Sequence, residues 1–128
     1  LGLPTGAPDA TDPARTVDEV ASSPHDATAT ATFSRSSRVV LRPTGLERCR
    51  GDACSHATFA FGPVTPVAEG STLAAVLAGR SPRTAFATPV AFRRAAAAAR
   101  ARAPVVRETA RLRARHVTWG GVDVTLVG

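Results

Sequence analysis

Two cysteines with only four residues between them, Cys49 and Cys54, limit what this chain can fold into more than any other feature of its sequence. Their Cα atoms reach the roughly 5.5 Å of a disulfide only where the backbone doubles back, so a bridge demands a hairpin tip. The flanking residues agree. Upstream, Thr28, Thr30, Thr32 and Ser34 alternate with Ala29, Ala31 and Phe33, and Val39-Val40-Leu41 follows. Downstream, Ala57-Thr58-Phe59-Ala60-Phe61 alternates until Gly62-Pro63 stops it. Period two with β-branched and aromatic residues predicts strands on both sides. Ser34-Arg35-Ser36-Ser37 reads as a turn or bulge, and Pro43-Thr44-Gly45 as an interruption.

Closing so short a loop with a disulfide adds about 2 kcal/mol in the chain-entropy view. Such a bond places the protein in an oxidising compartment, extracytoplasmic or secreted. A metal is the alternative: Cys49, Cys54 and His56 are three candidate zinc ligands within eight residues, and His116 or His25 could be the fourth. The irregular spacing and the lack of a second cysteine pair weigh against metal, and two unbridged thiols are the third reading. Inside the bracket, Arg50-Gly51-Asp52 is the tripeptide that integrin ligands present. The resemblance to cyclised adhesion loops covers these six residues alone, and a turn wanting Gly-Asp explains it equally well.

The rest of the chain divides by composition. Residues 1–26 hold five acids against Arg15, or −4, and the net charge of +6 leaves +10 for the remainder. Residues 1–27 are rich in Pro, Ala, Thr and Asp with no sustained apolar period, which predicts a flexible acidic arm with one helical turn near Val17-Asp18-Glu19-Val20. The start at Leu1-Gly2-Leu3-Pro4, without Met, fits a trimmed terminus. Residues 28–128 then form one α+β domain: a small antiparallel sheet with two or three helices packed on one face. Its helices are signalled by Ser71 as N-cap with Gly79 as stop, and by Thr88-Pro89 opening a helix to about Ala103 with Phe92, Ala96, Ala99 and Ala103 on one face. Between Ser81 and Thr88, Arg83 to Ala87 reads as a short extended piece. A two-residue turn at Gly120-Gly121 joins Trp119 to the last strand, Val122 to Leu126.

All sixteen basic residues are Arg, and Lys, Ile, Asn, Gln, Met and Tyr are absent, which points to nucleotide bias before design. Arg83 to Arg115 nevertheless holds nine Arg against Glu108. Arg93 and Arg100 lie on one flank of the helix opened by Thr88. Arg107, Arg111 and Arg115 align at i, i+4 and i+8 if their segment is helical. As a strand, the arginines would run directly into the apolar face of Val117 and Trp119, so the pattern favours a helix through about Arg115 unless a bulge resets the register. The surface implied is one for an anionic partner: nucleic acid, anionic lipid or an acidic glycan.

Catalysis has no comparable support. The three histidines are scattered, and no nucleophile elbow, phosphate loop or dinucleotide fingerprint occurs, so neither an enzyme nor a cofactor is expected. No apolar run approaches the roughly 20 residues of a membrane-spanning helix. The sequence predicts a non-enzymatic extracytoplasmic binding or structural domain, with a nucleic-acid- or polyanion-binding protein acting through 93–115 as the alternative.

Overall fold

The alternating run after the first charged segment continues further than its serines suggest, and it sets the architecture. The structure, a computed structural model, describes residues 7–128. In chain order the elements are α1 (Thr11–Ala21), β1 (Ala27–Arg42), β2 (Gly45–Arg50), β3 (Ala53–Thr58), β4 (Thr65–Pro66), α2 (Thr72–Leu77), α3 (Pro82–Ala85), α4 (Pro89–Ala101), β5 (Val105–Trp119) and β6 (Val122–Val127). The strands lie in the order β3-β2-β1-β5-β6-β4. All neighbours are antiparallel except β4 and β6, which run parallel.

This overturns the small antiparallel sheet with helices on one face. Strands take 42% of the structure and helices 28%, in a curled, mixed six-stranded sheet that forms a half-barrel. The frame is therefore the sheet. Its size comes from residues 107–115, which are strand rather than helix, so that β1 and β5 pair over most of their 16 and 15 residues. The pairing breaks once. Between Thr32 opposite Arg111 and Ser37 opposite Thr109, four residues of β1 face only Ala110. A bulge of this kind bends a strand and raises its twist, and it coincides with a change of face along β5: Leu112 and Ala114 enter one core, and beyond the break Val105 does.

Helices lie on both faces. On one, α1 buries Ala14, Val17 and Val20 against Val39, Leu41, Leu46, Leu112, Ala114 and Val127. Thus the described part of the expected acidic arm contains a helix within the core. The helix has a narrow apolar stripe that cannot hold it alone, and the sheet supplies the missing area. Asp9 secures its first turn, its carboxylate accepting the N–H groups of Thr11 and Asp12 at 3.0 Å each. Asp18 ties the helix to the loop after β3 by accepting from the N–H groups of Ala60 and Phe61 at 2.9 and 3.2 Å. That capture ends β3 at Thr58, short of the expected Phe61. The predicted start at Leu1-Gly2-Leu3-Pro4 lies outside the described residues.

On the opposite face α2 and α4 cover Val117, Val124 and Leu126 with Leu73, Val76, Leu77, Phe92 and Ala96. Both helices begin where hydroxyl caps call for it: Ser71 accepts from Ala74 N–H at 3.1 Å and Thr88 from Ala91 N–H at 3.0 Å. Arg83 lies in the short helix α3, which Ser81 caps and Pro82 opens, where an extended piece was expected. These helices leave the β1–β2–β3 half of this face uncovered. No helix among the described residues is long and apolar enough to cross a membrane.

Candidate functional site

Along β5, Arg111, Arg113 and Arg115 alternate with the buried Leu112, Ala114 and His116. Directly opposite them on β1 stand Thr32, Thr30 and Thr28. Residues paired across a ladder share a face, so three arginines and three threonines form a two-by-three array. The array does run into the apolar face of Val117 and Trp119, the conflict that made a helix look preferable. Arg115 resolves it. Its Nη1 donates to the carbonyls of Val76 (2.6 Å) and Arg80 (2.9 Å), at and beyond the C-terminal end of α2, and its guanidinium pairs with Asp26 at 3.3 Å. A cation at the end of a helix meets carbonyls with a lone pair to spare, Val76 accepting from Gly79 N–H as well, and the negative end of the helix dipole. Arg115 is therefore a structural strut at the boundary between core and array.

Arg113 marks the other boundary. It exchanges both backbone hydrogen bonds with Gly128, at 2.8 and 2.9 Å. Past this pair β5 continues toward Val105 while β6 has ended, and a cleft of about 240 Å³ opens there. Arg111 and Arg113 reach it from one face. Arg107 reaches it from the other, because its ladder partner is the core residue Val39. Val67, Ala74 and Leu77 give the cleft apolar walls. Among the described residues its one acid is Glu69, which meets Arg107 at 2.9 Å and is itself largely exposed. Among the side chains that line it, three guanidiniums face one carboxylate, a surplus of positive charge.

The expected arginines therefore separate. Arg107 and Arg111 come together, Arg113 joins them, and Arg115 faces inward. Arg100 donates to Thr65 Oγ1 at 2.9 Å and holds α4 to β4, while Arg93 is exposed on α4 and does not line the cleft. Arg113 and the three threonines were not singled out from the sequence, since only a strand reading aligns them.

The cysteine hairpin forms a second constellation. Cys49 and Cys54 are ladder partners joined by a disulfide, with Cα atoms 4.1 Å apart. The turn between Arg50 and Ala53 has Gly51 at φ +59°, the left-handed position that glycine serves without strain. Arg50, Gly51 and Asp52 are all exposed at the tip. His56 lies opposite Glu47, and it is Glu47 that has a ligand atom close to both sulfurs. His116 is remote from them in the fold, with its Nδ1 2.9 Å from Thr125 Oγ1.

One buried cation was not foreseen. Arg48 is 6% exposed, donates to Ser37 Oγ (3.0 Å) and to the Asp9 carbonyl, and lies 3.7 Å over the Phe33 ring. Burial, with Arg50 nearby, holds its pKa below the ordinary arginine value. Its bonds join the β1 bulge to the start of α1, which is a structural task.

The sequence model of a family of unknown function, DUF7283, matches residues 1–117. The chain belongs to that family. The DUF7283 match spans the cysteine hairpin and the arginines of β5, whereas β6, which borders the cleft, lies beyond it. No curated protein and no solved structure matches the chain.

Proposed function

We propose that this DUF7283 protein is a non-enzymatic, extracytoplasmic binding module that holds an acidic polymer, an acidic glycan in the first place. The observation that carries the reading is the convergence of Arg107, Arg111 and Arg113 on one cleft with Glu69 as its acid. Guanidinium forks suit planar carboxylate and tetrahedral sulfate or phosphate groups. Thr28, Thr30 and Thr32, exposed alongside, add hydroxyl donors and acceptors of the kind a sugar can use. The Cys49–Cys54 bridge and the lack of a membrane-length helix among the described residues are compatible with a place outside the cytoplasm. An acidic glycan is favoured over nucleic acid because, among the described residues, no aromatic ring lines the cleft to stack a base.

Binding to a sulfated or uronic-acid glycan and to duplex DNA of similar charge, measured by titration at several salt concentrations, tests this. The glycan should bind with an affinity that falls steeply with salt, and Arg111→Ala with Arg113→Ala should weaken it at least about tenfold, since each lost ionic hydrogen bond is worth roughly 1.5–3 kcal/mol. Preference for DNA would reassign the partner. No glycan binding at low salt would remove the reading.

A further inference from the structure

The β1–β2–β3 half of the face on which α2 and α4 lie, left uncovered by these helices, carries an arrangement independent of the arginine cleft. In the β2–β3 hairpin, Glu47 pairs with His56 and Cys49 with Cys54. The members of each strand are two residues apart, so all four side chains project from one face as a square. The intervening Leu46 and Ala57 point the other way, into the α1 core. Glu47 Oε1 lies 3.3 Å from Cys49 Sγ, and one ligand atom from each of Glu47, Cys49 and Cys54 lies within 4.8 Å of the others.

Those positions can be compared with what a cation needs. Tetrahedral zinc with Zn–S of about 2.3 Å and Zn–O of about 2.0 Å sets an S···O edge of roughly 3.5 Å and an S···S edge of roughly 3.8 Å. The first edge is nearly present. The second is what the disulfide forbids. Thiolate and imidazole donors beside one carboxylate select zinc over the oxygen-loving calcium and magnesium.

We propose that the β2–β3 hairpin is a redox-gated site for a zinc-type divalent cation, shut by the Cys49–Cys54 disulfide and opened by its reduction, with Glu47, Cys49, Cys54 and His56 as ligands. Cys54 is exposed whereas Cys49 is 2% exposed, so an external dithiol attacks Cys54 Sγ and expels Cys49. The second thiol of the reductant then displaces Cys54. One disulfide forms for the one broken, and two electrons and two protons pass to the hairpin. The cation takes the place of those two thiol protons.

The test reduces the whole chain with an immobilised phosphine under nitrogen and titrates it with cobalt(II), then zinc(II). One equivalent of cobalt should give a thiolate-to-metal charge-transfer band with tetrahedral ligand-field absorption, displaced by zinc, and the oxidised protein should give none. Glu47→Gln and His56→Ala should each weaken binding at least about tenfold, the lower bound known for residues that only support a ligand. Absence of the band in the reduced chain overturns the proposal. So does a band of unchanged affinity in both variants, which would mean two thiols acting without the square. Should reduction loosen the hairpin, far-ultraviolet circular dichroism must recover when zinc is added; a reduced chain that stays unfolded with excess zinc overturns the proposal equally.

Discussion

Replacing Val17 with Ala distinguishes a helix built into the core from an arm loosely attached to it. Val17 is 1% exposed, midway along α1 and packed in the cluster that contains Val39, Leu41 and Leu112. The change removes two methyl groups, worth about 1.6 kcal/mol of transfer free energy at ~0.8 kcal/mol each. If the surroundings do not relax, a void of about 50 Å³ adds roughly 1.2 kcal/mol. The expected loss therefore runs from about 1.6 to about 2.8 kcal/mol, the upper figure applying if the sheet beneath is too stiff to follow. For a chain of this length each kcal/mol moves the midpoint by roughly 3–4 °C, so Tm should fall by roughly 5–11 °C. Urea titration followed by Trp119 fluorescence and by circular dichroism would measure it, with Glu19→Ala, an exposed site on the same helix, as a control near zero. A Val17→Ala loss below about 0.5 kcal/mol, the range of ordinary surface substitutions, would refute the packing of α1.

Three further outcomes follow from named contacts. Asp9→Ala should cost about 1 kcal/mol at neutral pH, as other helix-cap losses do. The N–H groups of Asp12 and Thr11 hold the Asp9 pKa below the ordinary carboxylate value, so its contribution is complete above that value and lost as pH falls through the lowered one; wild type and Asp9→Ala should converge in acid. Arg115→Met should destabilise by about 1.5–3 kcal/mol by removing the charged hydrogen bonds to the Val76 and Arg80 carbonyls and the pair with Asp26, yet leave glycan affinity nearly unchanged, whereas Arg111→Ala should do the reverse in parallel assays. Removing the bridge with Cys49→Ser and Cys54→Ser should lower stability by about 2 kcal/mol; no shift in the urea midpoint would mean that the Gly51 turn alone sets the hairpin.

What the sequence conveys well is what neighbouring residues decide. Ser71, Thr88-Pro89 and Gly120-Gly121 act through groups at most a few positions away, and the two helices and the terminal hairpin lie where those signals place them. Residues 107–115 carry no such signal. Arginines at 107, 111 and 115 satisfy a helical period, those at 111, 113 and 115 a strand period, and the deciding partners Thr28 to Thr32 are some eighty positions away. An arginine next to the apolar face is accommodated because the end of α2 and the loop beyond it offer Arg115 the Val76 and Arg80 carbonyls. The same distance hid α1, whose stripe gains its partners only once β1 and β5 are paired. The candidate site inherits this: Arg107 and Arg111 stand out by composition, but Arg113 and the threonine row emerge only from the register.

The central claim is that Arg107, Arg111 and Arg113 act together on one anionic polymer, and its most direct measurement is the slope of log affinity against log salt for an acidic glycan. For the wild type, about three contacts should give a slope near −2 to −3 by analogy with nucleic-acid phosphates. With all three arginines changed to Ala, and the fold verified by circular dichroism, the slope should flatten by about that amount. An unchanged slope would show that binding, if present, belongs to other arginines and not to the cleft.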